Sequence, residues 1–172
     1  MKDRELIEKF RKLWQVITRI KADVNTMPYA VNDSTGDQSI TGTEVTVNLD
    51  EELYAHSNYS LASDVITVTE AGFYQIGYTV CWDTTNTAGG ASHIVESHVD
   101  YYVSSYTAVD GSYKRGYAVE APAGTRTGSV GATFLLSMEA GSKIRLRVDR
   151  VAGSTNIDTS ADRVSLWMTK IS

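Results

Sequence analysis

From residue 43 onward the chain is a succession of short segments in which apolar and polar residues alternate, broken by glycine turns and free of helical periodicity. Alternation with period two is the pattern of a strand that buries one face and wets the other, so this pattern constrains the fold most. Val45, Val47 and Leu49 alternate with Thr46 and Asn48. Val65-Ile66-Thr67-Val68 leads through Glu70-Ala71-Gly72 into residues 73–82, where Tyr74, Ile76, Tyr78, Val80 and Trp82 share one face. Gln75, Gly77, Thr79 and Cys81 share the other. Residues 92–103 alternate again, with Val95, Val99, Tyr101 and Val103 together, and Asp110-Gly111 marks a turn before residues 113–121. Phe134, Leu136 and Met138 define a further strand; after Glu139-Ala140-Gly141, Ile144, Leu146 and Val148 oppose Lys143, Arg145 and Arg147. The closing strand sets Val164, Leu166 and Met168 on one side and Ser165, Trp167, Thr169 and Ile171 on the other. Eight or more strands at this spacing, with two Pro in the whole chain, predict an antiparallel all-β sandwich or jelly roll over residues 44–172. The last strand is apolar on both sides, which predicts one face in the core and the other against a second subunit.

The N-terminus follows a different rule. Residues 3–24 lack Pro and Gly, and Leu6, Phe10, Leu13, Ile17, Ile20 and Val24 recur at spacings of four and three. That is a heptad seam, with Phe10, Ile17 and Val24 at a and Leu6, Leu13 and Ile20 at d. A helix of this length runs roughly 33 Å. Ile7 and Trp14 at e and Val16 at g widen the stripe beyond a two-stranded seam, so residues 1–25 are expected to form a coiled-coil stalk that holds a trimer. A single amphipathic helix folded back on its own domain and a helix lying on a membrane surface are the alternatives. Residues 26–43 are small and polar and predict a linker loop.

Charge separates the two parts. Residues 2–24 carry seven Lys/Arg against four Asp/Glu, a net +3, whereas the remainder carries nine against seventeen, a net −8. An acidic body is a poor surface for nucleic acid, which is bound by displacing counterions with cations. No stretch has the roughly 20 apolar residues of a membrane span, so no membrane insertion is expected. The charged opening Met1-Lys2-Asp3-Arg4-Glu5 has no apolar core of a signal peptide, which predicts synthesis in the cytosol. The single cysteine, Cys81, allows no intramolecular disulfide and reads as an inert strand thiol.

Several segments resemble the complement globular-head and tumour-necrosis-factor superfamily. Ala71-Gly72-Phe73-Tyr74-Gln75-Ile76-Gly77-Tyr78-Thr79-Val80 resembles its Gly-x-Tyr-led strand, and Leu135 to Leu146 resembles its pair of apolar strands joined by a Gly turn. Val164-Ser165-Leu166-Trp167-Met168-Thr169-Lys170-Ile171 resembles its closing strand. The resemblance covers residues 43–172 and implies a jelly roll of about ten strands that forms trimers. Ser142 stands where secreted members commonly have Asp, and phage and viral structural proteins use the same jelly roll without a signal.

Candidate chemistry is sparse. In His93-x-x-Glu96-x-His98, Glu96 and His98 share a strand face while His93 lies opposite, so the three read as polar strand surface and not as a metal site. Asp158 and Asp162 with Asp149 offer a weak loop calcium set. No cofactor, metal or catalytic constellation is expected, and His56 completes the histidine inventory. Tyr101, Tyr102, Tyr106, Tyr113 and Tyr117 fall within 17 residues and, with Trp167, form the candidate subunit interface. Ordinary strand packing and a glycan platform are the other readings of these rings. The function expected is a non-enzymatic homotrimer on a virion surface: a capsid decoration, head fibre or short tail-fibre component whose partners are virion proteins. The alternative is a trimeric receptor- or glycan-binding knob for host adhesion.

Overall fold

The computed structural model describes residues 7–16, 29–32, 38–54, 56–84, 92–119, 126–153, 157–160 and 163–172. Two antiparallel sheets stack face to face. The first contains β1 (Tyr29–Asn32), β2 (Ser39–Ile40), β4 (Glu51–Tyr54), β7 (Gly72–Thr84), β11 (Arg126–Met138), β13 (Ile157–Thr159) and β14 (Ser165–Lys170). Its backbone is β7, which pairs along its whole length with β11 on one side. On the other side β14 takes residues 74–79 and β13 takes residues 82–84. The second sheet contains β3 (Val45–Thr46), β5 (Tyr59–Ala62), β6 (Val65–Val68), β8 (Ser92–Tyr102), β9 (Tyr106–Ala108), β10 (Lys114–Val119) and β12 (Lys143–Ala152), in the order β10-β8-β12-β6-β5.

The alternation expected from the sequence is the alternation found. Tyr74, Ile76, Tyr78, Val80 and Trp82 of β7 face Val95 and Val99 of β8 and Ile144, Leu146 and Val148 of β12 in one core. Leu166 and Met168 of β14 close it from the same side as β7. Trp82 is the largest fully buried side chain, and it fits because Gly116 and Gly128 leave room for its ring. A Cβ on Gly116 would lie 2.3 Å from Trp82 Cη2 and 2.8 Å from the Ser129 carbonyl oxygen. One polar network crosses this core. The Tyr78 hydroxyl donates to the Ser112 carbonyl at 2.6 Å and receives the Ser97 hydroxyl at 3.1 Å, so a buried phenol keeps its partners.

Turn chemistry explains the connections. Ser63 and Asp64 both adopt positive φ between β5 and β6, the two-residue turn whose twist matches a hairpin, and Asp64 Oδ1 accepts the Leu49 amide at 2.9 Å. At the Glu139–Gly141 turn, Ser142 Oγ accepts the Glu139 amide at 3.1 Å, so the hydroxyl closes the turn. Gly72 is needed for proximity and not for a turn: a Cβ there would lie 2.2 Å from the Ser172 carbonyl oxygen. The Phe73 amide donates to the Ser172 carbonyl at 2.9 Å and the Phe73 carbonyl accepts the Ile171 amide at 2.8 Å, tying the last residues into the sheet.

The linker expectation is corrected, and the stalk expectation is supported only by one short helix, α1, described over residues 7–16. Phe10 and Leu13 of the predicted seam are exposed, as are Ile7, Trp14 and Val16, so the helix is not folded back on the sandwich. Ten residues are under three turns, too short for a helix to be stable without a partner along its apolar stripe. Leu6, Ile17, Ile20 and Val24 lie outside the described residues. The segment 26–43, read as a linker, contributes β1 and β2, with Ala30 opposite Trp167 and Ile40 opposite Ile157. Strand pairing there uses backbone groups, which small polar side chains do not prevent.

Candidate functional site

Each sheet has an outward face, and the two faces are chemically unlike. On the first sheet, the outward residues of β7, β11 and β14 carry no ionisable side chain from Phe73 to Thr79. Phe73 lies beside Ile171, and Leu135 lies opposite Gln75. Phe73 is 54% exposed and Leu135 64%. Trp167 sits opposite Gly77, and a Cβ on Gly77 would lie 2.2 Å from Trp167 Cζ2, so the indole lies flat across the sheet. An open cleft of about 400 Å³ adjoins this face at the sandwich edge, lined by Tyr101, Val109, Asp110, Leu135 and Leu136 among others. Further along the same face Cys81 is half-buried, and burial pushes its thiol above the ordinary range, which suppresses the reactive thiolate.

The second sheet turns a ladder of charges outward. Cross-strand partners run Glu96 with Asp149, His98 with Arg147, Asp100 with Arg145, and Tyr102 with Lys143. Arg145 donates to Asp100 at 2.9 Å, and Arg147 Nη2 reaches Glu44 at 2.7 Å. His98 is 3% exposed, with Nε2 3.2 Å from both Glu44 and Asp100. The Tyr113 ring stacks on His98, with centroids 4.2 Å apart and planes at 23°. Arg115 donates to Glu96 at 2.5 Å. Asp149 stands directly against Glu96, and its carboxyl is held above the ordinary range by burial first and then by Glu96 and Glu44.

The five tyrosines do not form one cluster. Tyr101 packs against the core and its hydroxyl bonds Ser142 at 3.0 Å. Tyr102 and Tyr106 pair across β8 and β9 with centroids 4.9 Å apart, and Arg145 covers the Tyr106 ring at 3.6 Å. Tyr113 and Tyr117 both point outward along the β10 edge, Tyr117 bonding Ser92 at 2.9 Å. Trp167 belongs to the opposite sheet. His93 is fully buried on the core side of β8, as its parity requires, instead of forming polar surface. Among the described residues no group of three His, Cys, Asp or Glu side chains is placed to hold a metal. Asp149 and Asp158 stand in different sheets, so the calcium set does not converge, and Asp162 lies outside the described residues. Glu44 and Arg115 were missed at the sequence level, and Asp149 was read only as a weak calcium ligand, because three separate strands and a loop bring them together. The one available signal was the charged outward parity of β8 and β12.

No protein-family description and no curated protein matches this sequence. Solved structures do. The chain is similar to murine APRIL crystallised at pH 8.0, with a TM-score of 0.56 and 10% identity over 84% of this chain and 98% of that one. The pH 5.0 form of murine APRIL gives 0.55 and 9%, covering 84% and 100%. The Eiger TNF of S. frugiperda gives 0.57 and 9%, covering 86% and 94%. The order of strands, the two-sheet stacking and these likenesses agree that the sandwich is a TNF-like jelly roll.

Proposed function

We propose that this chain is a non-enzymatic trimer that works by assembly and surface attachment, as a structural component of a virion. The observation that carries the reading is the uncharged stretch of the first sheet's outward face from Phe73 to Thr79. Phe73, Leu135 and Ile171 are each at least half exposed there, and Trp167 is laid flat over Gly77. Covering such side chains contributes about 1.5–3 kcal/mol each when burial is complete, which favours self-association. The open apolar stripe of α1 is a second element that gains by meeting copies of itself. Capsid decoration, head fibre and short tail fibre all suit a compact head carried on a helix.

Light scattering on the full chain and on a chain shortened to begin at Asn25 tests the assembly. Trimers in both cases assign assembly to the sheet face, with the helix as a docking peg or clamp. A trimer only in the full chain moves assembly to the helix. Monomers in both overturn the reading. Binding to assembled capsids then tests the virion role.

A receptor- or glycan-binding knob is the second reading, and the outward face of the second sheet favours it. That face is free when the first sheet assembles, and it presents two tyrosine rings among preordered charged side chains.

A further inference from the structure

We infer that the outward face of β10, β8 and β12 is a binding site for a neutral saccharide, with Tyr113 and Tyr117 as its stacking platforms. The inference rests on the knob reading and gives it a place and a ligand class. Tyr113 is 47% exposed and Tyr117 62%. Tyr117 lies in the edge strand β10 and Tyr113 immediately before it, with Arg115 between them in sequence. Four residues along a strand separate the rings by about 13 Å, a span suited to a short oligosaccharide.

The platform is ordered before any ligand arrives. One face of Tyr113 rests on His98, and His98 is itself fixed between Glu44 and Asp100. Tyr117 is fixed through its hydroxyl to Ser92. Rings held in this way lose little conformational freedom on binding, which is where stacking on a sugar's C–H face gains over a mobile ring.

The polar surroundings choose the ligand. Glu44, Glu96, Asp100 and Asp149 lie close enough to Tyr113 that, after burial, they hold its phenol above the ordinary range. Arg115 and Arg147 are interleaved with them. Glu44 is paired with Arg147, Glu96 with Arg115 and Asp100 with Arg145, so most of the charge on this face is already neutralised by its neighbours and a ligand of net charge gains little there. A sugar hydroxyl both donates and accepts, and it can use carboxylate and guanidinium at once. Asp149 adds an acceptor that makes no hydrogen bond or ion pair among the described residues.

The test uses the full chain, with titration calorimetry against N-acetyllactosamine, maltose and chitobiose as neutral probes. Sialyllactose serves as the anionic probe and tetralysine as the cationic one. At least one neutral saccharide binds, and Tyr113→Ala and Tyr117→Ala each weaken it by about tenfold. Tyr113→Phe retains the affinity because the ring remains, and Tyr102→Ala, at the far end of the sheet, leaves it unchanged. Asp149→Asn weakens binding without disturbing the fold, which keeps the test open should Tyr113→Ala not fold. Failure of all neutral probes, preference for sialyllactose or tetralysine, or unchanged affinity in the Tyr113→Ala/Tyr117→Ala double variant overturns the site. Light scattering on the same samples separates this failure from failure of the trimer, since a trimer that ignores every saccharide removes only the site.

Discussion

The outward faces of the two sheets are built on the same pleat, yet the first is free of ionisable groups from Phe73 to Thr79 and the second is crowded with them across β10, β8 and β12. Across β14, β7 and β11 the outward residues run through Ile171, Phe73, Leu135, Gln75, Trp167, Gly77 and Thr79. Across β10, β8 and β12 they run through Arg115, Glu96, Asp149, His98, Arg147, Asp100 and Arg145. The inward residues of both sheets are alike, since Ile, Val, Leu, Tyr, Met and Trp fill one core. The comparison teaches that inward parity determines the fold while outward parity determines what the fold touches. An apolar face loses by remaining in water and calls for a second copy; a face of paired charges is already satisfied by solvent and by itself.

Breaking one face at a time is the strongest test of that division. Phe73→Glu with Leu135→Glu places two charges on the apolar face, and the assembled species is expected to become monomeric while the far-ultraviolet circular dichroism stays unchanged. Tyr113→Ala on the other face is expected to leave the mass as it is. Loss of trimer in the second variant, or its retention in the first, removes the assignment of roles.

Two glycines sharpen the comparison, because each is overlaid by an indole. A Cβ on Gly116 strikes both the buried Trp82 ring and a backbone carbonyl, and neither can yield. Gly116→Ala is expected to destabilise the fold by about 1–3 kcal/mol in denaturant unfolding. The same substitution at Gly77 strikes only Trp167, a half-buried ring on the outside that can swing away. Gly77→Ala is therefore expected to cost well under ~1 kcal/mol in the fold while roughening the assembly face. Equal losses at the two positions would contradict the distinction between inside and outside.

The legible part of this molecule was the part governed by period two. Tyr74 through Trp82, Ile144 through Val148 and Val164 through Met168 announce their buried face in any window of five residues, and each is buried as expected. Short strands of two to four residues, such as β1, β2 and β13, carry too few alternations to be seen, and they form because a longer neighbour offers backbone partners. The Ser63-Asp64 turn lacks the Asn-Gly signature, so the β5–β6 hairpin left no mark in the sequence. The charged site is assembled from Glu44, β8, β10 and β12, and no local pattern encodes a contact between residues some hundred positions apart, as in Arg147 with Glu44. The tyrosines were legible as a group only because they are close in sequence; the sheet then sends them in three directions.

Alkaline pH acts on the core side of the same comparison. Tyr74 is fully buried and donates to the Glu70 carbonyl at 2.6 Å, and burial, then Tyr59 and Glu70, pushes its phenol from 10 up to about 12. The folded state therefore holds this proton more tightly than the unfolded chain does. Its contribution is complete below pH 10 and is lost as the pH rises through the range up to about 12. Urea midpoints measured across that range are expected to fall, and Tyr74→Phe is expected to flatten the fall. An identical slope in the variant would place the alkaline sensitivity elsewhere.

The smallest effect belongs to the charged face and has the same sign with pH, at the acid end of the scale. Asp149 and Glu96 are direct cross-strand partners of like sign, and burial, Glu96 and Glu44 hold the Asp149 carboxyl above its unfolded value of 3.8. A carboxyl whose folded pKa is raised binds its proton more tightly in the folded state. Its relative stabilisation is present below the unfolded value and is lost as the pH rises through the folded one. At neutral pH the ionised pair therefore works against folding, and Asp149→Asn is expected to stabilise the protein by about 0.2–1 kcal/mol. The gain is expected to vanish in acid, where Asp149 is neutral in both states, and to shrink in high salt. A gain at pH 7 together with weaker saccharide binding would mean that this carboxylate is retained for contact at a cost to stability. A loss of stability would instead make Asp149 a structural partner of Arg115, and the charged face would lose its clearest ligand-facing group.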